Sequence, residues 1–436
     1  MKNFFFCLGI SIALFVGISF SRAAEPLKQS FVTGSSYPSI TAVNYIPFSM
    51  NATPNANAFF NAATSSMVAI GGTFAGGYCN VTTAPGVGAS WVFSYMYNKA
   101  TTTATCTIAN TATSGTISGS FSVQPGGTLQ LAIAAVGTPT IPVNAQSVVD
   151  FQPNNYNNFM YSGHSLSSNT TLTIGGGLSS MSGSAGGTLT TTNSTSTIAT
   201  PGVFDWLYVG ANTAPGAAKT RNIYLAKNSA TTTLTAGVTG ASGVASMAAA
   251  DTSDSISVAV NDGVQIIAEP LGTPAGSSLP GYSMRFVPTV VGDAMYFTST
   301  GNQADSASAT TYFPAYGENA TTTSEANAQT MDTKKTYKGM IAAVQVAAAS
   351  GRTRTLTLRV NGASTPITCT IAALANYCSI LSGANVTIKD GDLVDVMSVP
   401  SGSPAATRVS VTLLYTKIDT PSRAQFNFFG GRSIFR

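Results

Sequence analysis

The side chains best able to act as a nucleophile, a general base or a soft metal ligand near neutral pH are few in this chain. There is one histidine, His164, and beyond Cys7 there are four cysteines, Cys79, Cys106, Cys369 and Cys378. A catalytic histidine needs a carboxylate to orient it. The stretch from Tyr161 to Asn169 around His164 supplies only Ser, Gly and Leu, so His164 reads as part of a solvated polar loop. The cysteines lack the CxxC spacing of a zinc site and fall into two sequence-local pairs. They are expected to form the disulfides Cys79–Cys106 and Cys369–Cys378.

The carboxylates give no stronger signal. Asp390, Asp392 and Asp395 cluster as calcium ligands would, but the EF-hand pattern is missing, and a turn explains them better. Asp251 and Asp254 read as polar loop residues in the same way. The runs Gly126-Gly127 and Gly175 to Gly177 have neither the strand–helix context nor the Lys-Ser/Thr of a phosphate loop. Trp91 and Trp206, the only tryptophans, would suit stacking on a sugar if exposed; both lie in or beside strand-like segments and are expected in the core. No catalytic residue, cofactor site or metal site is expected, and the chain does not read as an enzyme.

The elements that position these residues are strands. Charged residues make up only 8% of the chain, and hydrophobic residues 44%, which is ample for buried cores. The balance is Thr, Ser, Ala, Gly and Asn. The residues that favour long helices are scarce, while Thr, Val and the aromatics favour strands and Gly and Pro supply turns. The net charge of +4 is spread along the chain without a basic stripe, so nucleic acid is not an expected partner.

A charged start at Lys2, an apolar run from Phe4 to Phe20 and small residues up to Ala23 read as a signal peptide, residues 1–23. The protein is therefore expected to be secreted or displayed on an extracellular surface. Contact with a membrane is expected only if that signal stays uncleaved. Export also fits paired cysteines.

A phrase of strand, Gly/Asp turn, strand and Gly-Thr/Ser-Pro stop occurs three times, at Phe121–Pro139, Ile256–Pro274 and Val386–Pro404. Upstream of each copy lies a hairpin with asparagine at its turn: Asn98, Asn228 and Asn361. Cys106 and Cys369 occupy the same position in two of these hairpins. The period is about 130 residues, well beyond that of solenoid repeats and enough for a domain. The expected organisation is all-β, with three tandem antiparallel β-sandwich, jelly-roll-like modules at 31–153, 154–288 and 289–418 and a tail at 419–436. Asn361-Gly362 is the strongest signal for a type I′ hairpin.

The third copy combines the Arg359-Val360-Asn361-Gly362 turn, the Thr368–Ile371 strand and the Val386–Val396 strand pair. In this it resembles the compact jelly-roll modules of the C1q/tumour-necrosis-factor-like type found in bacterial and phage surface proteins. The likeness is clearest over 337–418, visible in the second copy and faint in the first. It implies trimer-prone extracellular modules with binding or structural roles, and it brings no catalytic residues.

The tail alternates apolar and polar residues through Phe426, Phe428 and Phe429 and ends near Phe435. A free aromatic strand must be covered, either by its own module or by strand addition to a neighbouring subunit. The leading expectation is a secreted structural protein that self-associates into a homo-oligomer or polymer, as the subunit of a filament, surface layer or virion-like shell. The alternative is an adhesin that holds a glycan or a host surface.

Overall fold

In the computed structural model, residues 28–417 are described, apart from 37, 49–50, 53–65, 156, 165–172, 175–177, 179–194, 212–213, 241–246, 275–279, 301–303 and 319–320. The signal segment and the tail, with Phe426, Phe428, Phe429 and Phe435, lie outside these residues.

The chain is all-β, with one four-residue helix, Glu325–Ala328, among the described residues. Six sheets form in three successive pairs. In the first pair, one sheet centres on Gln29–Ser36, Asn144–Pro153 and Gly72–Val81, and the other on Thr128–Val136, Gly86–Tyr97 and Ala100–Asn110. The second pair repeats this with Phe159–His164, Pro280–Pro288 and Gly202–Ala211, opposite Gly263–Leu271, Gly216–Lys227 and Ala230–Gly240. The third uses Asp293–Ser299, Val409–Thr416 and Lys335–Val344, opposite Leu393–Ser401, Thr353–Val360 and Ala363–Ile371. Among the described residues, pairing is antiparallel except for two short parallel contacts, Gly34 with Asn51 and Thr298 with Gly317.

Alternation packs the inner faces together. Phe31, Phe74 and Phe151 from one sheet of the first pair share a core with Trp91, Phe93 and Tyr95 from the other. The Tyr95 hydroxyl and Ser147 Oγ meet across the core at 2.6 Å. Both expected disulfides are present, and each joins one sheet of a pair to the other: Cys79–Cys106 in the first, Cys369–Cys378 in the third. Such bonds suit an oxidising environment. In the second pair, Ala236 fills the corresponding hairpin position and is buried.

The three hairpin asparagines act alike. Asn98, Asn228 and Asn361 have φ of 48°, 49° and 51°, and the residues that follow are also left-handed, as a type I′ turn requires. Each side-chain oxygen accepts a backbone N–H from the next strand of its sheet: Thr128 at 2.9 Å, Gly263 at 2.8 Å and Leu393 at 2.9 Å. The hairpin is thereby stapled to the turn of the repeated phrase.

The pairs are not separate bodies. Residues 26–419 form one compact unit, and one hydrophobic cluster runs from the second pair into the third, through Tyr161, Met295 and Phe297. Trp91 is fully buried, as its sequence position suggests. Trp206 instead lies half-buried against the core of the first pair. It sits at a strand bulge with φ of 51°, an outlier for a bulky residue. The Arg285 guanidinium covers its ring at 3.6 Å and is held by both oxygens of Asp205. No helix among the described residues is long and apolar enough to cross a membrane.

Candidate functional site

A cleft of about 380 Å³ opens between the second and third sheet pairs. One wall carries Thr195, Thr197 and Asn261, and the other carries Asn376, Tyr377 and Ser410. Its size is that of a small-molecule site, and no charged side chain lines it. Ser196–Thr197 forms a short strand paired with Val264 and Gly263, and the Thr197 carbonyl accepts a hydrogen bond from Thr412 Oγ1 of the opposite wall at 2.6 Å. Asn261 is held in a left-handed turn, with its N–H on the Ile198 carbonyl at 2.9 Å. Tyr377 pairs with Ala343 at a sheet edge and is 59% exposed. The Cys369–Cys378 bond fixes the strand that carries it.

The cleft lies where the repeat varies. In the first pair the residue corresponding to Thr197 is Met67, which is buried against the second pair. A Cβ added at Gly210 would lie 2.6 Å from the Met67 sulfur, so the methionine rests directly on the glycine. At the junction with the cleft, Thr197 is shorter than methionine, and Ala343 stands where Gly210 does. The result is space rather than contact. What faces that space can donate and accept hydrogen bonds through two carboxamides and hydroxyls, beside one aromatic ring.

The other candidates resolve differently. His164 is the last residue of the strand Phe159–His164, paired with Gly281, rather than part of a loop. The ladder with Pro280–Pro288 takes in Tyr161 to His164, which composition assigns to the loop. Asp392 caps its turn: its carboxylate accepts the Lys389 N–H at 2.7 Å and the Asn361 amide at 2.9 Å. Asp390 accepts the Lys334 N–H at 2.8 Å. Asp395 is buried apart from them, 0% exposed, and neither of its oxygens meets a hydrogen-bond donor. Burial, reinforced by the Glu325 charge and opposed by Arg359, pushes its carboxyl up to about 8. Asp251 accepts three backbone N–H groups at a strand bulge, from Thr235, Ser253 and Asp254, each at 3.1 Å. Among the described residues, no three His, Cys, Asp or Glu side chains converge as a metal site would require.

Sequence reasoning missed a buried polar cluster where the third pair meets the first. Lys335 Nζ lies 2.6 Å from Asp332 Oδ1 and over the rings of Tyr296 and Tyr415, at 4.3 and 4.8 Å. The Tyr337 hydroxyl donates to Asp332 Oδ2 at 2.6 Å. Burial lowers the Lys335 ammonium to about 8, against the opposing pull of Asp332. A lysine so perturbed can be a nucleophile in an open site. Here its side chain is 0% exposed and sealed by tyrosines, which leaves no path for a substrate. The signal for this cluster was the run Asp332 to Lys335, which leads into the strand Lys335–Val344 and places Lys335 as its first residue.

Comparison with protein-family models found no match, and comparison with curated proteins found none either.

Proposed function

We propose that this chain is a secreted surface protein whose task is binding: an adhesin or receptor that holds a neutral, hydroxyl-rich ligand such as a glycan in the cleft between its second and third sheet pairs. The pairs are read as three tandem sandwich modules similar to the C1q/tumour-necrosis-factor-like type. The observation that carries the reading is the cleft itself. It has ligand size, no charge, the carboxamides of Asn261 and Asn376, and the exposed ring of Tyr377 clipped in place by a disulfide. Neutral donors and acceptors flanking an aromatic face match a sugar's hydroxyls and its apolar ring face.

Probing a glycan array with the folded mature protein, beside Asn376→Ala and Tyr377→Ala, tests this. Wild-type protein should bind defined glycans and both variants should lose the signal. Folded wild-type protein that binds nothing, or variants that bind equally, would refute it. The second reading is a self-assembling structural subunit, favoured by exposed apolar side chains such as Val87 and Leu374, at 90% and 73% exposure.

A further inference from the structure

Equivalent positions of the repeat meet three times in the molecule. The Ala69 N–H points at the Met160 sulfur at 3.4 Å, and the Ala199 N–H points at the Met295 sulfur at 3.3 Å. The third occurrence is Thr333 Oγ1 with Ser30 Oγ at 2.7 Å. In each case the residue lies just after a short strand, Ser66–Met67, Ser196–Thr197 or Thr330–Met331, and meets the start of the first strand of another sheet pair. The short strands pack correspondingly. Ser66–Met67 lies on Gly202–Ala211 and Pro280–Pro288, and Ser196–Thr197 on Lys335–Val344 and Val409–Thr416. Thr330–Met331 lies on Gly72–Val81 and Asn144–Pro153. The first pair thus docks on the second, the second on the third, and the third on the first.

We infer that the chain closes on itself as a ring of three sandwiches joined head to tail, and that the docking face of the third pair takes the chain's own first pair as its partner. This joint brings Ser30 and Lys417 together and has its own chemistry. Lys417 Nζ binds Asp150 Oδ2 at 2.5 Å and Thr333 Oγ1 at 2.6 Å, while Ser30 and Thr333 donate to Asp150 Oδ1 at 2.9 and 3.0 Å. Methionine sulfurs occupy the centre of the other two joints; an ion pair with side chains 2% and 14% exposed occupies this one. The charges choose the partner. Ser30 pairs with Asp150 in the first sheet pair, and at the same register Met160 pairs with Arg285 in the second. Docked there, Lys417 would find no anion at this register, because Arg285, already paired with Asp205, stands where Asp150 does.

The test is a cysteine pair, Ser30→Cys with Thr333→Cys, in the full mature chain. Mild oxidation should give one added intramolecular bridge, seen by peptide mapping and as a faster monomer band on a non-reducing gel. A ladder of multimers would show that the joint forms between copies, and failure to cross-link would show that it does not form; either overturns the inference. Scattering from wild-type protein is an independent check that needs no variant. The ring has the mass of one chain and, for about 390 compact residues, a radius of gyration of about 21 Å. A value half as large again, or the mass of several chains, overturns it.

Discussion

The buried pair Asp332–Lys335 makes a stability prediction with a definite sign. Lys335 has an ammonium pKa of about 8 in the folded chain, against 10.5 for an exposed lysine. Between those values the folded chain binds fewer protons than the unfolded one, so stability rises with pH. The penalty is complete well below pH 8 and relieved as pH climbs toward 10.5, for a total of about 3 kcal/mol. About 2 kcal/mol of it falls between pH 7 and 9.5, where tyrosines of the unfolded chain, with a pKa of about 10, only begin to ionise. The control is Asp332→Asn with Lys335→Met, which removes both charges and keeps an acceptor for Tyr337. Replacing a buried ion pair together is often near neutral, so the variant should fold. Urea denaturation of both proteins across this pH range gives the difference, in which other titrating groups cancel. Wild type should gain about 2 kcal/mol on the variant from pH 7 to 9.5. A difference constant to within about 0.5 kcal/mol would show that the ammonium is not held in a dry site, and would refute the reasoning.

Thr197→Met should fill the cleft as Met67 fills the first joint, reducing glycan affinity by at least about tenfold, roughly 1.4 kcal/mol, with a stability change under about 1.5 kcal/mol; titration calorimetry and thermal melts read the two. Asn361→Ala should cost about 1–2 kcal/mol in urea denaturation, because it removes the bond to the Leu393 N–H and leaves alanine at a φ of 51°. The loops closed by the disulfides differ, with separations of 27 and 9 residues. Replacing Cys79 and Cys106 by serine should therefore cost about 3.5 kcal/mol and replacing Cys369 and Cys378 about 2.6 kcal/mol, and denaturant midpoints that reverse the order would contradict the chain-entropy account.

What could be read in the sequence was local. Type I′ turns at Asn98, Asn228 and Asn361 follow from the backbone needs of a two-residue hairpin, and the cysteine pairs follow from short spacing. The strand character of the chain follows from composition. The cleft could not be read, because Thr197 and Tyr377 are brought together by the packing of one sheet pair on the next, and neither stands out in its own segment. Asp395 and Lys335 were equally opaque. Each lies beside other charges in sequence, and only the strand register shows that Asp392 faces its turn while Asp395 points inward. Trp206 was expected in the core; at the bulge between Asp205 and Leu207 it lies half-buried against the neighbouring pair instead.

The threonine at position 197, where the first and third copies have Met67 and Met331, has a consequence for stoichiometry. Three identical subunits around an axis cannot carry a single site, since any substitution that opens one groove opens all three. Copies fused in one gene escape that constraint. Each can drift by itself, so two grooves can remain packed for strength while one loses a side chain and becomes vacant. The expected occupancy is one ligand per polypeptide, and avidity for a surface would have to come from the number of chains displayed rather than from the symmetry of any one of them.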